Sequence, residues 1–232
     1  MTRSLKILGA LACLTPVTHA VTVSGNIVGL ADTSGMLSTS DVAGVVPVSN
    51  WNNIPNSGND ISTGPLLDSS GNATTISASW ISIGPWAMST GSGGNFSLYN
   101  GYLDNFGDIR TVTFAGLDAA TTYEIYIYTD GANETNLRHA YFTMEGVTTT
   151  VIDEPGDFSG TFVEVPAGTS GAGNYTMFTV SGSTSYNLDF QGDITDDLPR
   201  AALNGFQIVS VPEPATALLG LFGMVGMLRR RR

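Results

Sequence analysis

The sequence predicts an all-β fold, a β-sandwich of jelly-roll type, and three observations predict it. The stretch Thr121 to Thr129 alternates Tyr123, Ile125 and Ile127 with Glu124, Tyr126 and Tyr128, a period of two with β-branched and aromatic residues on both faces. Similar short runs recur at roughly ten-residue spacing, separated by clusters of Gly, Asn, Asp and Pro. Nowhere between residues 21 and 210 does a 3.6-residue apolar period persist over three turns.

Taken in order, Val21 to Leu30 reads as an edge strand and Ile76 to Ile83 as another, with Trp80 inside it facing the core. Between them, Ser49 to Gly64 is loop-like, as is Gly84 to Gly94 around Trp86. Arg110 to Leu117 places Val112 and Phe114 on one face, and the short Gly116 to Ala120 connection predicts that it pairs with Thr121 to Thr129 as a hairpin. Further strands follow at Ala140 to Met144, Thr161 to Val165, Tyr175 to Val180, Tyr186 to Phe190 and Phe206 to Ile208. Asp130-Gly131, Glu145-Gly146, Pro155-Gly156-Asp157 and the Gly168 to Gly173 cluster read as turns and loops. The expected core includes Val112, Phe114, Tyr123, Ile125, Ile127, Leu188, Phe206 and Ile208.

Composition narrows the function. Residues 21–210 hold only Arg110, Arg138 and Arg200 against nineteen acidic residues and no lysine, a formal charge of −16. Such a surface repels phosphate backbones and anionic headgroups, which excludes nucleic-acid binding and leaves the membrane only the C-terminal segment as a partner. The single cysteine, Cys13, lies in the N-terminal segment, so no disulfide braces the domain and its stability must come from an apolar core.

Catalytic machinery is sparse. The domain has one histidine, His139, no cysteine and no Gly-x-Ser-x-Gly elbow, which argues against nucleophilic triads and zinc sites and leaves His139 as an ordinary surface or edge residue. Paired carboxylates of a glycan-acting hydrolase remain an alternative, because acids are abundant. Asp189, Asp193, Asp196 and Asp197 put four carboxylates within nine residues, a candidate structural calcium site, although the spacing is not that of an EF-hand and an acidic solvated loop has the same composition. Asp153, Glu154 and Asp157 form a weaker version of the pattern. Trp51 and Trp86, each set among Asn, Ser, Gly or Pro, are candidate platforms for stacking on a sugar ring, with burial at the ends of the sandwich as the competing reading.

Both ends of the chain carry processing signals rather than fold. Residues 1–20 combine Arg3 and Lys6, the apolar stretch Ile7 to Leu14 and the small-residue site Thr18-His19-Ala20, a secretory signal peptide; lipoprotein processing at Cys13 is the alternative. Residues 211–232 run from Pro212, Glu213 and Pro214 through an apolar stretch, Ala215 to Leu228, to Arg229, Arg230, Arg231 and Arg232. At roughly 1.5 Å per residue that stretch makes a helix of about 21 Å, short of the ~30 Å hydrocarbon core, so it spans only where the bilayer thins or the arginines snorkel. The arginines hold their end on the cytoplasmic side. The block resembles the PEP-CTERM sorting signal of Gram-negative bacteria in its triplet, helix and arginine cluster, about a tenth of the chain. A plain C-terminal membrane anchor would lack a role for Pro-Glu-Pro. The resemblance implies processing by a membrane-embedded exosortase, transient anchoring in the inner membrane, and delivery to the cell surface or an exopolysaccharide-rich matrix. The core, through Ser49 to Asn53, Leu66 to Gly71, Asn100 to Asp104, the Tyr123 strand and Ala201 to Val209, loosely resembles uncharacterised galactose-binding-like jelly-roll modules of secreted bacterial proteins. Together these readings give a non-catalytic exported protein, binding polysaccharide or purely structural.

Overall fold

The computed structural model describes residues 20–29, 35–55 and 60–212, and within them the chain is a β-sandwich with one short helix. The signal-peptide reading of residues 1–19, the sorting signal from Glu213 onward and its apolar helix lie outside the described residues. Among the described residues no helix is long and apolar enough to cross a membrane.

In chain order the elements are β1 (Thr22–Val28), β2 (Asn52–Pro55), β3 (Ile61–Ser62), β4 (Ser77–Trp80), β5 (Gly84–Ala87), α1 (Gly94–Tyr99), β6 (Gly101–Asn105), β7 (Arg110–Ala115) and β8 (Thr122–Tyr128). They continue with β9 (Arg138–Met144), β10 (Val147–Asp153), β11 (Ser170–Ala172), β12 (Tyr175–Val180), β13 (Ser185–Gly192), β14 (Ala201–Leu203) and β15 (Gly205–Val211). A five-stranded sheet runs β12-β8-β15-β1-β2, a seven-stranded sheet runs β11-β10-β9-β13-β7-β4-β3, and a three-stranded sheet, β14-β6-β5, completes the structure.

The main core includes side chains of the two large sheets. All eight residues expected there are buried, and the Phe114 and Phe206 rings meet with centroids 4.8 Å apart. Gly25 leaves room for this packing, because a Cβ there would overlap the Phe206 ring. The period-two pattern of β8 has a physical reason on each face. Tyr123, Ile125 and Ile127 join the main core, whereas Tyr128 on the opposite face joins a second cluster with Leu37, Trp51, Leu98, Tyr99, Phe158 and Tyr175. The five-stranded sheet is therefore covered on both sides, and β8 sits inside it between β12 and β15.

Several pairings differ from the sequence expectation. β1 is internal, held between β15 and a parallel β2, and its seven residues are all buried. β7 and β8 do not form a hairpin: β7 pairs with β13 and β4, and β8 with β12 and β15. The intervening residues pass from one sheet to the other, with Asp118 bonding the Ala120 N–H (2.9 Å) and the Thr121 N–H (3.0 Å), so that the two apolar faces meet across the core instead of lying side by side. Thr161 to Val165 contributes only the isolated Glu164–Tyr175 bridge, while the glycine-rich stretch assigned to loop contains β11, and the two other loop-like stretches contain β2, β3 and β5. The six residues of α1 are too few to leave a helical period in the sequence. The Glu145-Gly146 turn is as expected. Both residues have positive φ, 49° and 76°, and join β9 to β10 as the twist of a two-residue hairpin requires.

Asn204 fastens the layers together. It is fully buried, its Oδ1 accepts the Asp130 N–H (2.7 Å) and its Nδ2 donates to the carbonyls of Tyr99 (3.1 Å) and Gly101 (3.2 Å). Asn204→Ala leaves those three backbone groups without this partner in a dry interior, and we expect a loss of about 1 to 3 kcal/mol in urea unfolding; an unchanged midpoint would show that the bonds contribute nothing net.

Candidate functional site

Trp86 lies on β5, the edge of the three-stranded sheet, and is 55% exposed. It stands directly opposite Tyr102 of β6, so the two side chains share a face of the sheet. Tyr102 is buried and its hydroxyl accepts the Ala132 N–H at 3.2 Å. Two residues on, Asp104 is on the same face and forms an ion pair with Arg200, whose guanidinium carbon sits 3.9 Å from the centroid of Phe106. An exposed indole thus borders a patch of polar groups.

Trp51 has a different fate. It is only 5% exposed, its Nε1 donates to the Val48 carbonyl at 3.0 Å, and its ring lies 6.1 Å from that of Tyr128 in the second core cluster. A sugar platform needs an open face, which Trp51 does not offer. The neighbouring amides are also occupied. Asn52 bonds the carbonyls of Ser24 and Leu67 and the Leu67 N–H, while Asn53 bonds Leu37 through both its N–H and carbonyl. These side chains tie loops to the sheet. Trp80 is 2% exposed, as its strand position suggested.

Near the Tyr102 face lies a charged cluster of which the sequence singled out Asp153 and Asp157 but not Asp130 or Arg138. Arg138, at the start of β9, is buried and donates from Nη2 to the Ala132 carbonyl at 2.6 Å. Opposite it in the β9–β10 ladder is Asp153, whose Oδ2 accepts the Gly131 N–H at 3.1 Å. Asp130 is 5% exposed, and its Oδ1 finds no hydrogen-bond partner. Asp104 Oδ1 and Arg138 Nε are also unpartnered, so charged groups around Arg138 supply half of the six such buried side-chain atoms among the described residues. Burial pushes the Asp130 carboxyl far above the usual range, the negative charges of Asp153 and Asp157 add to this, and Arg138 opposes it. Asp153 is raised mainly by burial, against the Gly131 N–H and Arg138. Burial also raises Asp104 and brings the Tyr102 hydroxyl up to about 12. A cavity of about 220 Å³ opens beside the pair, lined by Asp130, Asp153, Glu154, Asp157 and Phe158 among others. A carboxyl kept protonated near neutral pH can donate a hydrogen bond as well as accept one. The signal for this cluster was scarcity: in a domain with three basic residues, each arginine is a distinctive counter-charge.

The four aspartates expected to hold calcium are not brought together. Asp189, on β13, accepts from Thr111 at 2.5 Å. Asp193 accepts from the Tyr141 hydroxyl and from both the N–H and hydroxyl of Thr195 (2.8 Å each), bonds that hold its carboxyl down at about 2. Asp196 bonds His139 through its N–H (2.7 Å) and Nδ1 (2.8 Å). Each of these three carboxylates serves a local fastening. Asp197 takes no part in those bonds. Among the described residues no three His, Cys, Asp or Glu side chains form a metal-holding group, and this includes Asp153, Glu154 and Asp157.

Residues 210–232 match the family model described as the PEP-CTERM protein-sorting motif. The chain carries the signal for exosortase-dependent sorting and export to the cell surface or beyond. No curated protein matches it. Among solved structures it is similar to the ANXUR2 extracellular domain from Arabidopsis thaliana, with 14% identity, a TM-score of 0.46, and coverage of 83% of this chain and 49% of that one. The chain spans about half the length of that structure.

Proposed function

We propose that this is a non-catalytic surface or matrix protein of a Gram-negative bacterium, held in the inner membrane by residues 215–228 until exosortase acts, and that its sandwich binds exopolysaccharide. The observation that carries the binding reading is Trp86, a half-exposed indole on an edge strand beside the polar groups of Tyr102, Asp104 and Arg200. Trp51 and Trp80 are buried, so a change in intrinsic fluorescence on adding host exopolysaccharide that is lost in Trp86→Ala reads Trp86. Trp86→Ala should weaken retention by about 1 to 3 kcal/mol, the scale of losing one aromatic contact, with no loss of melting temperature. Undiminished retention would remove Trp86 from the site. Absence of binding to any host polysaccharide would favour a purely structural matrix role.

The raised carboxyl pair Asp130 and Asp153 is the one observation that favours a glycan-acting hydrolase. Release of reducing ends by the purified protein, abolished by Asp153→Asn, would establish that reading instead. Export itself is tested by mass spectrometry of the protein in its native host: cleavage near Pro212 is expected, and an intact cytoplasmic precursor would contradict it.

A further inference from the structure

The outer face of the seven-stranded sheet is built unlike an ordinary solvated sheet. By register, the outward positions of β4, β7, β13, β9 and β10 are mostly occupied by Ser, Thr, Asn, Asp, Gln and Tyr, all half-buried or exposed. Lysine and glutamate, which usually fill such positions, are absent from these strands' outward faces. The side chains are fixed to one another across strands: Thr113 donates to Asn187 at 2.9 Å, Thr111 to Asp189 at 2.5 Å, and the Thr143 and Thr148 hydroxyls lie 2.8 Å apart. Tyr141 is held by Asp193.

Two depressions lie on this face, of about 760 and 290 Å³, and they share Ile109. The larger is lined in part by Ser79, Thr111 and Thr113, the smaller by Tyr141, Thr143, Thr148 and Asp189. Ile109 and Ile81, exposed by 65% and 70%, give apolar surface within the trough. Independently, Trp80 borders the larger depression and its Nε1 has no partner.

From this arrangement we infer that the trough binds an extended, neutral polysaccharide chain laid across the strands, at a site separate from Trp86. Short side chains already hydrogen-bonded to one another lose little rotamer freedom when a ligand arrives, and each hydroxyl keeps spare donor or acceptor capacity for a sugar hydroxyl. The exposed isoleucines meet the C–H faces of the rings. Charge selects against acidic glycans: the only cation in the lining is Arg110, against Asp60 and Asp189, on a domain of formal charge −16. The inference shares with the proposed function the ligand class but not the binding residues.

The test uses the purified full chain with cellohexaose, and with insoluble cellulose, chitosan and alginate as retention matrices. Thr111→Val, Thr113→Val and Thr143→Val together keep shape and β-propensity while removing three hydroxyls. The expected result is binding to cellohexaose and cellulose, weakened about tenfold or more by the triple valine variant and retained by Trp86→Ala. Hydroxyl-radical footprinting of the unmodified protein gives a reading that does not depend on the variant's folding, with protection expected at Tyr141, Ile109 and Ile81. Loss of binding in Trp86→Ala with the valine variant unaffected overturns the trough and leaves the Trp86 reading standing. Preference for alginate, or no protection of the trough by cellohexaose, also overturns it, and failure to bind any of the four probes counts against both.

Discussion

Phe206→Ala should cost about 3 to 5 kcal/mol, a third or more of the stability of a typical domain, and lower the melting temperature by roughly 10 °C. Phe206 is fully buried, faces Phe114 across the two large sheets at 4.8 Å, and occupies the space that the missing side chain of Gly25 leaves open. The same geometry predicts a coupling. Gly25→Ala alone should destabilise by about 1 to 3 kcal/mol, because its methyl overlaps the Phe206 ring. In the Phe206→Ala background that penalty should shrink or reverse, since the methyl then enters the cavity. Urea unfolding of the wild type, both single variants and the double variant measures this directly. Strictly additive costs would show that the two positions do not share space.

Which of these relations the sequence revealed follows from the range of the forces involved. The alternation in β8 is local, and it correctly indicated that Ile125 and Tyr128 both meet apolar surroundings. The Glu145-Gly146 turn is likewise set by two residues' own backbone preferences. Pairing is not local. Val112 and Phe114 show that β7 has an apolar face, but the same pattern suits a hairpin partner or a facing sheet, and it is the second that the fold uses, with β7 and β8 in different sheets and their apolar residues in one core. Trp51 stood open between a sugar platform and burial for a related reason. The polar residues beside it resemble a ligand-binding loop because they too must form hydrogen bonds, yet their partners are backbone groups of Ser24, Leu37 and Leu67, brought close by the fold. The aspartates on and just after β13 form a set only by closeness in sequence, whereas the groups that take three of them, Thr111, Tyr141 and His139, are more than fifty residues distant.

Stability should fall as pH rises from the acid range through neutrality, and Asp130→Asn should flatten that fall. Asp130 and Asp153 both ionise at higher pH in the folded protein than in the unfolded chain, where a free aspartate titrates near about 4. Above that point the native state holds protons that the unfolded state has released. The slope of stability with pH is then negative, with the contribution fully present below about pH 4 and lost as pH passes through the raised native values. Burial is the main cause, and the pair cannot both ionise cheaply because Arg138 is the single buried cation beside them. Replacing Asp130 with the neutral isostere removes one of the two charges, so the variant should equal the wild type below about pH 4 and exceed it increasingly as pH rises toward about 8.5. Arg138→Met should act in the opposite sense, costing about 3 to 5 kcal/mol at pH 8 and far less at pH 5, where the carboxyls are already neutral. On the acid side Asp193 works the other way: its carboxyl is held at about 2 by Tyr141 and Thr195, so its contribution is present above about pH 4 and lost as pH falls toward 2. The stability profile should therefore peak between these windows. Melting curves from pH 3 to 9 for the three proteins test the account, and a wild-type profile that rises toward pH 9, or an Asp130→Asn variant less stable than the wild type there, would refute it.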